Sequence, residues 1–187
     1  MTMNLIVSAP SGSGKTTILK QIFNIFPYVF GFSISATTRQ PRQGEKNGKD
    51  YYFLSLQDFE KKIKEDAFLE HEEVYKGIYY GTLKSEIERI NTLGKKAVFD
   101  VDVKGGINIK KTLGNDAYSI FIMPPDIRTL RQRLINRKTE TEETLNKRLK
   151  RAEMEIAYSK HFDKVIVNKD INKAVEEFAD CIRENIL

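Results

Sequence analysis

The sequence is poor in the residues and segments that mark disulfide-bonded, metal-binding and membrane proteins. Its 187 residues include one cysteine and two histidines, Cys181, His71 and His161. A single cysteine excludes an internal disulfide and is typical of a reducing cytoplasm, while isolated histidines argue against a His/Cys metal centre. No apolar run is long enough to cross a bilayer, and the N-terminus lacks the basic and apolar regions of an export signal. We therefore expect a cytoplasmic protein with no membrane partner.

The positive charge of the chain is dispersed. The formal net charge is +5, and the densest basic region, between Arg128 and Arg151, holds six arginines interleaved with carboxylates. A nucleic-acid-binding protein is one interpretation, and its binding would depend steeply on salt. The sequence lacks a continuous basic stripe with interleaved aromatic residues, so we expect a small anionic substrate and no nucleic-acid partner.

The most informative stretch lies near the N-terminus. Leu5, Ile6 and Val7 form a short apolar run that predicts a buried strand, and a loop of small residues follows at 8–14. Lys15-Thr16-Thr17 then begins a helical pattern that extends to about residue 26. A strand, a glycine-rich loop, Lys-Thr and a helix in this order predict a phosphate-binding loop. An ordinary glycine-rich turn before a helix is the alternative.

The residue types of this loop fit polyphosphate chemistry. Gly12 and Gly14 let successive amides point inward at phosphates, Lys15 can reach the β- and γ-phosphates, and Thr16 can ligate Mg²⁺. The motif has glycine where this chain has Ala9, and alanine fits there if its φ is negative. The predicted ATP-binding residues of the loop are Ala9, Pro10, Ser11, Gly12, Ser13, Gly14, Lys15, Thr16 and Thr17.

Strand and helix patterns alternate along the rest of the chain. Further strands are predicted at 30–36, 51–53, 97–103, 118–123 and 164–168, with two short ones around a turn at 76–77. Helices are predicted at 55–65, 82–93, 105–113, from 126, at 141–158 and at 171–186. This alternation predicts an α/β fold with a doubly wound parallel sheet. The region 51–82 is expected to be a small, mostly antiparallel insert with one helix.

Two groups of charged residues are candidates for the site. Asp100 and Asp102 end an apolar strand with the same parity, and Asp100 is where a Mg²⁺-organising carboxylate is expected beside a phosphate-binding loop. Solvent exposure at a strand end is the alternative. Arg39 and Arg42 straddle a proline and can hold one anion between them, although a solvated basic loop also fits.

Several motifs, in order and over nearly the whole chain, resemble the guanylate kinase family. They are Ser-Ala-Pro-Ser-Gly-Ser-Gly-Lys-Thr-Thr, Thr-Thr-Arg-Gln-Pro-Arg-Gln-Gly-Glu, Asn-Gly-Lys-Asp-Tyr, Phe-Leu-Glu-His, Tyr-Tyr-Gly-Thr, Asp-Val-Asp and Arg-Lys-Thr-Glu-Thr-Glu-Glu. The resemblance implies a P-loop NTPase-type fold, with an inserted α+β GMP-binding subdomain and a helical lid. The single domain 1–187 would comprise a core (1–34, 83–125 and 159–187), a GMP-binding region (35–82) and a lid (126–158).

The resemblance also implies roles for individual residues. The GMP phosphate would be bound by Arg39, Arg42, Tyr51 and Tyr80. The guanine N1–H and 2-amino group would donate hydrogen bonds to Glu70 and Asp102. The O6 side of the guanine base would be contacted by Ser35 and Thr82. From the lid, the phosphates would be contacted by Arg133, Arg137 and Arg148. Arg137 would also lie near the adenine ring, and Asn168 would help to position that ring. Segment 73–80 is one residue longer than expected of the family, so Tyr79 stays an alternative to Tyr80.

The implied reaction is Mg²⁺-dependent transfer of the ATP γ-phosphoryl group to GMP, and also to dGMP, in purine nucleotide metabolism and GMP recycling. The expected catalytic residues are Lys15, Arg39, Arg133, Arg137, Arg148 and Asp100. Thr16 is expected to bind Mg²⁺ directly, and Asp100 is expected to act near the ion through water. A monomer or homodimer is expected. The alternatives are an inactive binding module, which typically loses the loop lysine that this chain keeps, and a phosphate-loop kinase with another acceptor.

Overall fold

The structure is a computed structural model and describes residues 3–136 and 141–187. The strands in this part of the chain are β1 (Asn4–Ser8), β2 (Phe30–Phe32), β3 (Ala36–Thr37), β4 (Tyr52–Phe53), β5 (Phe68–Tyr75), β6 (Ile78–Leu83), β7 (Lys96–Asp100), β8 (Ala117–Met123) and β9 (Lys164–Val167). The α-helices are α1 (Lys15–Ile25), α2 (Leu56–Lys64), α3 (Ser85–Asn91), α4 (Val103–Leu113), α5 (Ile127–Ile135), α6 (Glu142–Ala157) and α7 (Ile171–Asn185).

The central sheet has five parallel strands in the order β2-β7-β1-β8-β9. Its middle strands are apolar and buried on both faces, as expected of a parallel sheet covered by helices. Side chains of α1 and α7 pack on one face beside Leu5 and Val7, and those of α3 and α4 pack on the other beside Ile6 and Phe99. The predicted doubly wound α/β fold is confirmed.

A second, four-stranded sheet has the order β4-β3-β6-β5. The β5–β6 and β3–β6 pairings are antiparallel, and β3–β4 is parallel, so the expectation of a mostly antiparallel insert with one helix holds. The hairpin between β5 and β6 turns at Lys76-Gly77, where Gly77 has a φ of 76°. Phe59 of α2 is fully buried against this sheet and stacks on Phe68, with ring centroids 4.4 Å apart.

Three predicted elements differ from the structure. The segment 30–36 does not form one strand, because β2 belongs to the central sheet and β3 to the second sheet. Thr82 and Leu83 end strand β6, and helix α3 begins only at Ser85. Strand β7 ends at Asp100, and Asp102 instead caps α4. Alternation along a segment indicates which side chains share a face, but it does not identify the partner strand or the last paired residue.

Glu86 of helix α3 links the segment between β2 and β3 to strand β4. Its buried carboxylate accepts hydrogen bonds from the backbone of Ile34 at 2.6 Å, from the Tyr52 hydroxyl at 2.9 Å and from Arg89 at 2.7 Å. Burial alone would raise the pKa of Glu86, but these donors outweigh it and the pKa lies below its usual value. The carboxylate therefore fixes the second sheet relative to the core.

The Glu86→Ala variant should lose about 2 to 4 kcal/mol of unfolding free energy, because it leaves buried donors without an acceptor. Chemical denaturation of both proteins measures this loss. Since the folded-state pKa is depressed, the carboxylate stabilises the protein above its unfolded pKa, and this contribution disappears as pH falls through the folded value. Glu88→Ala, on the exposed side of the same helix, is the control. Equal losses in the two variants would contradict this role.

Candidate active site

The loop after β1 has the backbone conformation that inward-pointing amides require. Gly12 and Gly14 have φ values of 93° and 94°, in the left-handed region that favours glycine. A Cβ atom on Gly14 would also collide with the amide of Asn168. The predicted loop residues, from Ala9 to Thr17, all line one cavity of about 700 Å³. The structure thus brings the whole predicted phosphate-binding loop around a space large enough for nucleotide phosphates.

Two residues that were predicted to contact the nucleotide donate hydrogen bonds to the backbone of the loop. Asn168 is buried, and its amide donates to the Ser13 carbonyl at 2.7 Å. Arg133 donates to the carbonyls of Asn168, at 2.9 Å, and of Ser13, at 3.5 Å. Both side chains therefore contact the back of the loop, and their nucleotide contacts stay predictions.

Three of the residues that line this cavity are Lys15, Thr16 and Asp100. Strand β7 runs beside β1, with Asp100 in register with Val7, so its last carboxylate reaches the start of the loop. The Lys15 ammonium forms an ion pair with Asp100 and donates to the Val101 carbonyl at 3.1 Å. Thr16 lines the same cavity as Asp100, so a hydroxyl and a carboxylate oxygen are available at one place.

A second cavity, of about 360 Å³, adjoins the first. The two cavities share six wall residues: Tyr51, Tyr75, Asp100, Val101, Asp102 and Arg151. The second cavity is also lined by three predicted site residues, Ser35, Glu70 and Tyr80. Elements of both sheets therefore meet at a single continuous cleft.

The second cavity is lined by the carboxylates of Glu70, Glu72, Asp100 and Asp102, and two of them, Glu70 and Asp102, have different environments. Burial raises the pKa of Glu70 to about 7, and repulsion from Asp102 acts in the same direction, whereas a hydrogen bond from Thr82 opposes it. Thr82 is buried, and its hydroxyl donates to Glu70 at 2.8 Å, so Thr82 lies behind this carboxylate. Asp102 accepts from the Gly105 amide at 2.8 Å through Oδ1 and thereby caps α4. A Cβ on Gly105 would lie 3.4 Å from Glu70 Oε2 and 3.2 Å from Asp102 Oδ1, so glycine keeps both carboxylates unobstructed.

Arg39 is held in place by an acidic and an aromatic partner. Its guanidinium donates to both carboxylate oxygens of Glu45, at 2.6 and 2.7 Å, and to the Tyr80 hydroxyl at 3.1 Å. It also lies 4.9 Å from the centroid of the Tyr51 ring. The hydrogen bonds from Arg39 lower the pKa of Glu45 to about 2. The side chain of Arg42 is exposed, and its backbone amide donates to Glu45 at 2.7 Å.

The alternation of β6 directs its two neighbouring tyrosines to opposite faces of the sheet. Tyr80 lines the second cavity and contacts Arg39, while Tyr79 packs on Phe59 with ring centroids 5.4 Å apart. The structure therefore places Tyr80 on the cleft side and Tyr79 against the core of the second sheet, and the contact of Tyr80 with GMP stays a prediction.

Helices α5 and α6 cover the loop from the other side of the cleft. Their shared core consists of Leu130, Leu134, Leu145 and Ala152. Arg148 on α6 lines the first cavity and donates to the Ser11 hydroxyl at 3.0 Å. Arg137, predicted to contact phosphate and adenine, lies outside the described residues.

Sequence reasoning assigned no role to several residues of the cleft. These are Glu45, Tyr75, Lys147, Arg151 and Glu155. Glu45 lies within the basic loop motif, and its acidic side chain among arginines was a usable signal. Arg151 lies three residues after Arg148 and four residues before Glu155, so helical spacing puts all three side chains near one face of α6. Tyr75 and Lys147 offered no comparable signal.

Within residues 3–136 and 141–187, no three or more His, Cys, Asp or Glu side chains are grouped so that they could hold a metal ion. The same part of the chain contains no helix with the length and apolar character needed to cross a membrane.

Comparison with known proteins identifies the family. The guanylate kinase family model matches residues 1–185. The chain is 47% identical to the guanylate kinase of Porphyromonas gingivalis over 186 residues, covering 100% of this chain and 99% of that protein. It is 48% identical to the guanylate kinase of Bacteroides fragilis over 184 residues, covering 96% of this chain and 88% of that one. The crystal structure of guanylate kinase from Anaplasma phagocytophilum superposes with a TM-score of 0.73 at 30% identity, covering 100% of this chain and 87% of that one. The chain therefore belongs to the guanylate kinase family.

Proposed function

We propose that this protein transfers the γ-phosphoryl group of ATP to GMP, giving ADP and GDP. The observation that carries the proposal is the shared wall of the two cavities, of which the first is lined by the phosphate-binding loop and the second by Glu70 and Asp102 among its carboxylates. We assign ATP to the first cavity and GMP to the second. The core (1–34, 83–125 and 159–187) would hold ATP, the region 35–82 would hold GMP, and the lid (126–158) would close over both.

On the donor side, the loop amides and the start of α1 bind the β- and γ-phosphates, because a helix N-terminus attracts anions. Lys15 neutralises charge at the same place. The Thr16 hydroxyl and the Asp100 carboxylate fit Mg²⁺, which prefers oxygen ligands and takes one or two from the protein with the rest from phosphates and water. Bound Mg²⁺ would supply further positive charge to the transferring phosphoryl group.

On the acceptor side, Arg39, Tyr51 and Tyr80 bind the GMP phosphate, and Arg42 joins them from the same loop. Arg39 already makes a bidentate contact with a carboxylate, which is the geometry that a phosphate group uses. The phosphate would compete with or displace Glu45 at this guanidinium.

Guanine is recognised by Glu70 and Asp102 as acceptors for N1–H and the 2-amino group. Adenine has an acceptor at N1 and no 2-amino group, so at these two positions it would donate no hydrogen bond to either carboxylate. Ser35 serves the O6 side of the base from the cavity wall. Thr82 fixes Glu70 in place through the hydroxyl that donates to it.

Catalysis consists of positioning and charge neutralisation. Two anionic substrates must approach each other in line, and Lys15, Arg39, Arg148 and the remaining lid arginines, Arg133 and Arg137, reduce their repulsion. Closure of the lid excludes water, which would otherwise hydrolyse ATP. The mechanism needs no covalent nucleophile.

The proposed acceptor is tested by a coupled ADP-release assay with ATP and Mg²⁺. Turnover is expected with GMP and with dGMP, because no residue assigned to the site binds the 2′-hydroxyl. AMP, CMP, UMP and the reaction without acceptor should give rates lower by at least about 100-fold. Equal rates with AMP would contradict guanine recognition, and the absence of turnover with GMP would contradict the kinase function.

Acid should weaken GMP binding through Glu70. Its pKa of about 7 means that the accepting carboxylate is lost as pH falls below neutrality. The KM for GMP should therefore rise by up to about tenfold per pH unit below 7, measured by steady-state kinetics between pH 5.5 and 8.5.

The GMP phosphate itself takes up a proton near about pH 6, so a control must separate the two groups. Glu70→Gln keeps an acceptor oxygen but cannot titrate, and its kcat/KM for GMP at pH 8 should fall by roughly 100-fold. In this variant the pH dependence of the KM for GMP should show only the titration of the GMP phosphate, near about pH 6, and no longer that of residue 70. An unchanged profile in this variant would contradict the assignment.

The Mg²⁺ assignment is tested at Thr16. Thr16→Val keeps the shape of the side chain and removes the oxygen, so kcat should fall on the order of 100-fold and half-saturation should require more Mg²⁺. Thr16→Ser restores the hydroxyl and should recover most activity. Kinetics at varied free Mg²⁺ measure both effects, and equal activity of the valine and serine variants would exclude Thr16 as a ligand.

A further inference from the structure

Arg151 of helix α6 lies where the two cavities join. It lines both of them, whereas Arg148, one turn earlier on the same helix, lines only the first. The Arg151 side chain is 57% exposed, so the cleft leaves it accessible to a ligand. Its position thus links the lid with the proposed guanine site.

The contacts of Arg151 connect α6 to a base-binding carboxylate. Its Nη2 donates to Asp102 Oδ2 at 3.1 Å, and its Nε donates to Glu155 Oε1 at 2.7 Å. The other oxygen of Asp102, Oδ1, accepts from Gly105 in α4. Asp102 is therefore held through one oxygen by the core and through the other by the lid.

The surrounding charges explain why a cation is useful here. Glu70, Glu72 and Asp102 all line the second cavity, and Glu155 lines the first. Repulsion from Asp102 and Glu72 contributes to the raised pKa of Glu70. GMP adds a further dianionic group to this acidic neighbourhood. A guanidinium at the junction offsets part of this repulsion while leaving the carboxylates able to accept hydrogen bonds.

Building on the proposed GMP kinase activity, we propose that Arg151 is a positioning residue for guanine recognition. It holds the Asp102 carboxylate toward the base from the lid, and it thereby links closure of the lid to occupation of the acceptor site. An exposed ion pair of this kind contributes little to folding stability, so its value lies in binding. Asp102 keeps a second lone pair on Oδ2 for the 2-amino group of guanine.

The test compares Arg151→Met, which keeps the length of the side chain and removes its charge, with Lys150→Met. Lys150 is the preceding, exposed residue of α6 and controls for loss of a lid charge. Arg151→Met should raise the KM for GMP and its calorimetric Kd by about five- to tenfold and change the KM for ATP by less than about twofold. Arg151→Lys should recover part of the GMP affinity, and Lys150→Met should leave both constants unchanged.

A double-mutant cycle identifies the route of the effect. Asp102→Asn removes the carboxylate charge and keeps the oxygen that caps α4, so Arg151→Met should weaken GMP binding less than about twofold in this background. Additive effects, unchanged or tighter GMP binding by Arg151→Met, or an equal rise in the KM for ATP would each overturn the inference. Calorimetry with GMP alone needs no turnover, so it tests Arg151 independently of whether wild-type protein phosphorylates GMP.

Discussion

The backbone of the phosphate-binding loop is the constraint on which the rest of the cleft depends. Amides can converge on an anion only if Gly12 and Gly14 adopt left-handed conformations, and such conformations need support from their surroundings. Asn168, from the end of the last parallel strand, and Arg133, from helix α5, supply that support at the Ser13 carbonyl. The loop thereby connects the first strand, the last strand and α5.

The cations assigned to the substrates already have carboxylate partners within the chain. Lys15 pairs with Asp100, Arg39 with Glu45, and Arg151 with Asp102. In each case a nucleotide would share or replace an existing partner, so binding exchanges one set of ion pairs for another. The affinity then depends on the difference between the two sets. The positive charges of the cleft are therefore partly neutralised before any nucleotide binds.

Local patterns accounted for much of the architecture and for part of the site. The strand, glycine loop and helix around Lys15 were predicted from contiguous residues, because their geometry depends on neighbours in the sequence. The prediction of a single strand at 30–36 was wrong, because β2 and β3 belong to different sheets, and so was the prediction of a strand at 97–103, because β7 ends at Asp100. Both errors arose because partner strands and strand ends are decided by distant segments. The roles implied for Glu70 and Arg39 came from the family resemblance rather than from local pattern.

By itself, the sequence determined the phosphate-binding loop, the α/β class and the acidic and basic residue types of the cleft, since these depend on local chemistry and periodicity. Only the tertiary structure decided that Tyr80 faces the cleft, that Thr82 supports Glu70 and that Arg151 reaches Asp102. The last two contacts join residues 12 and 49 positions apart. Such contacts follow from how sheets and helices pack, because packing sets which distant side chains come within hydrogen-bonding distance.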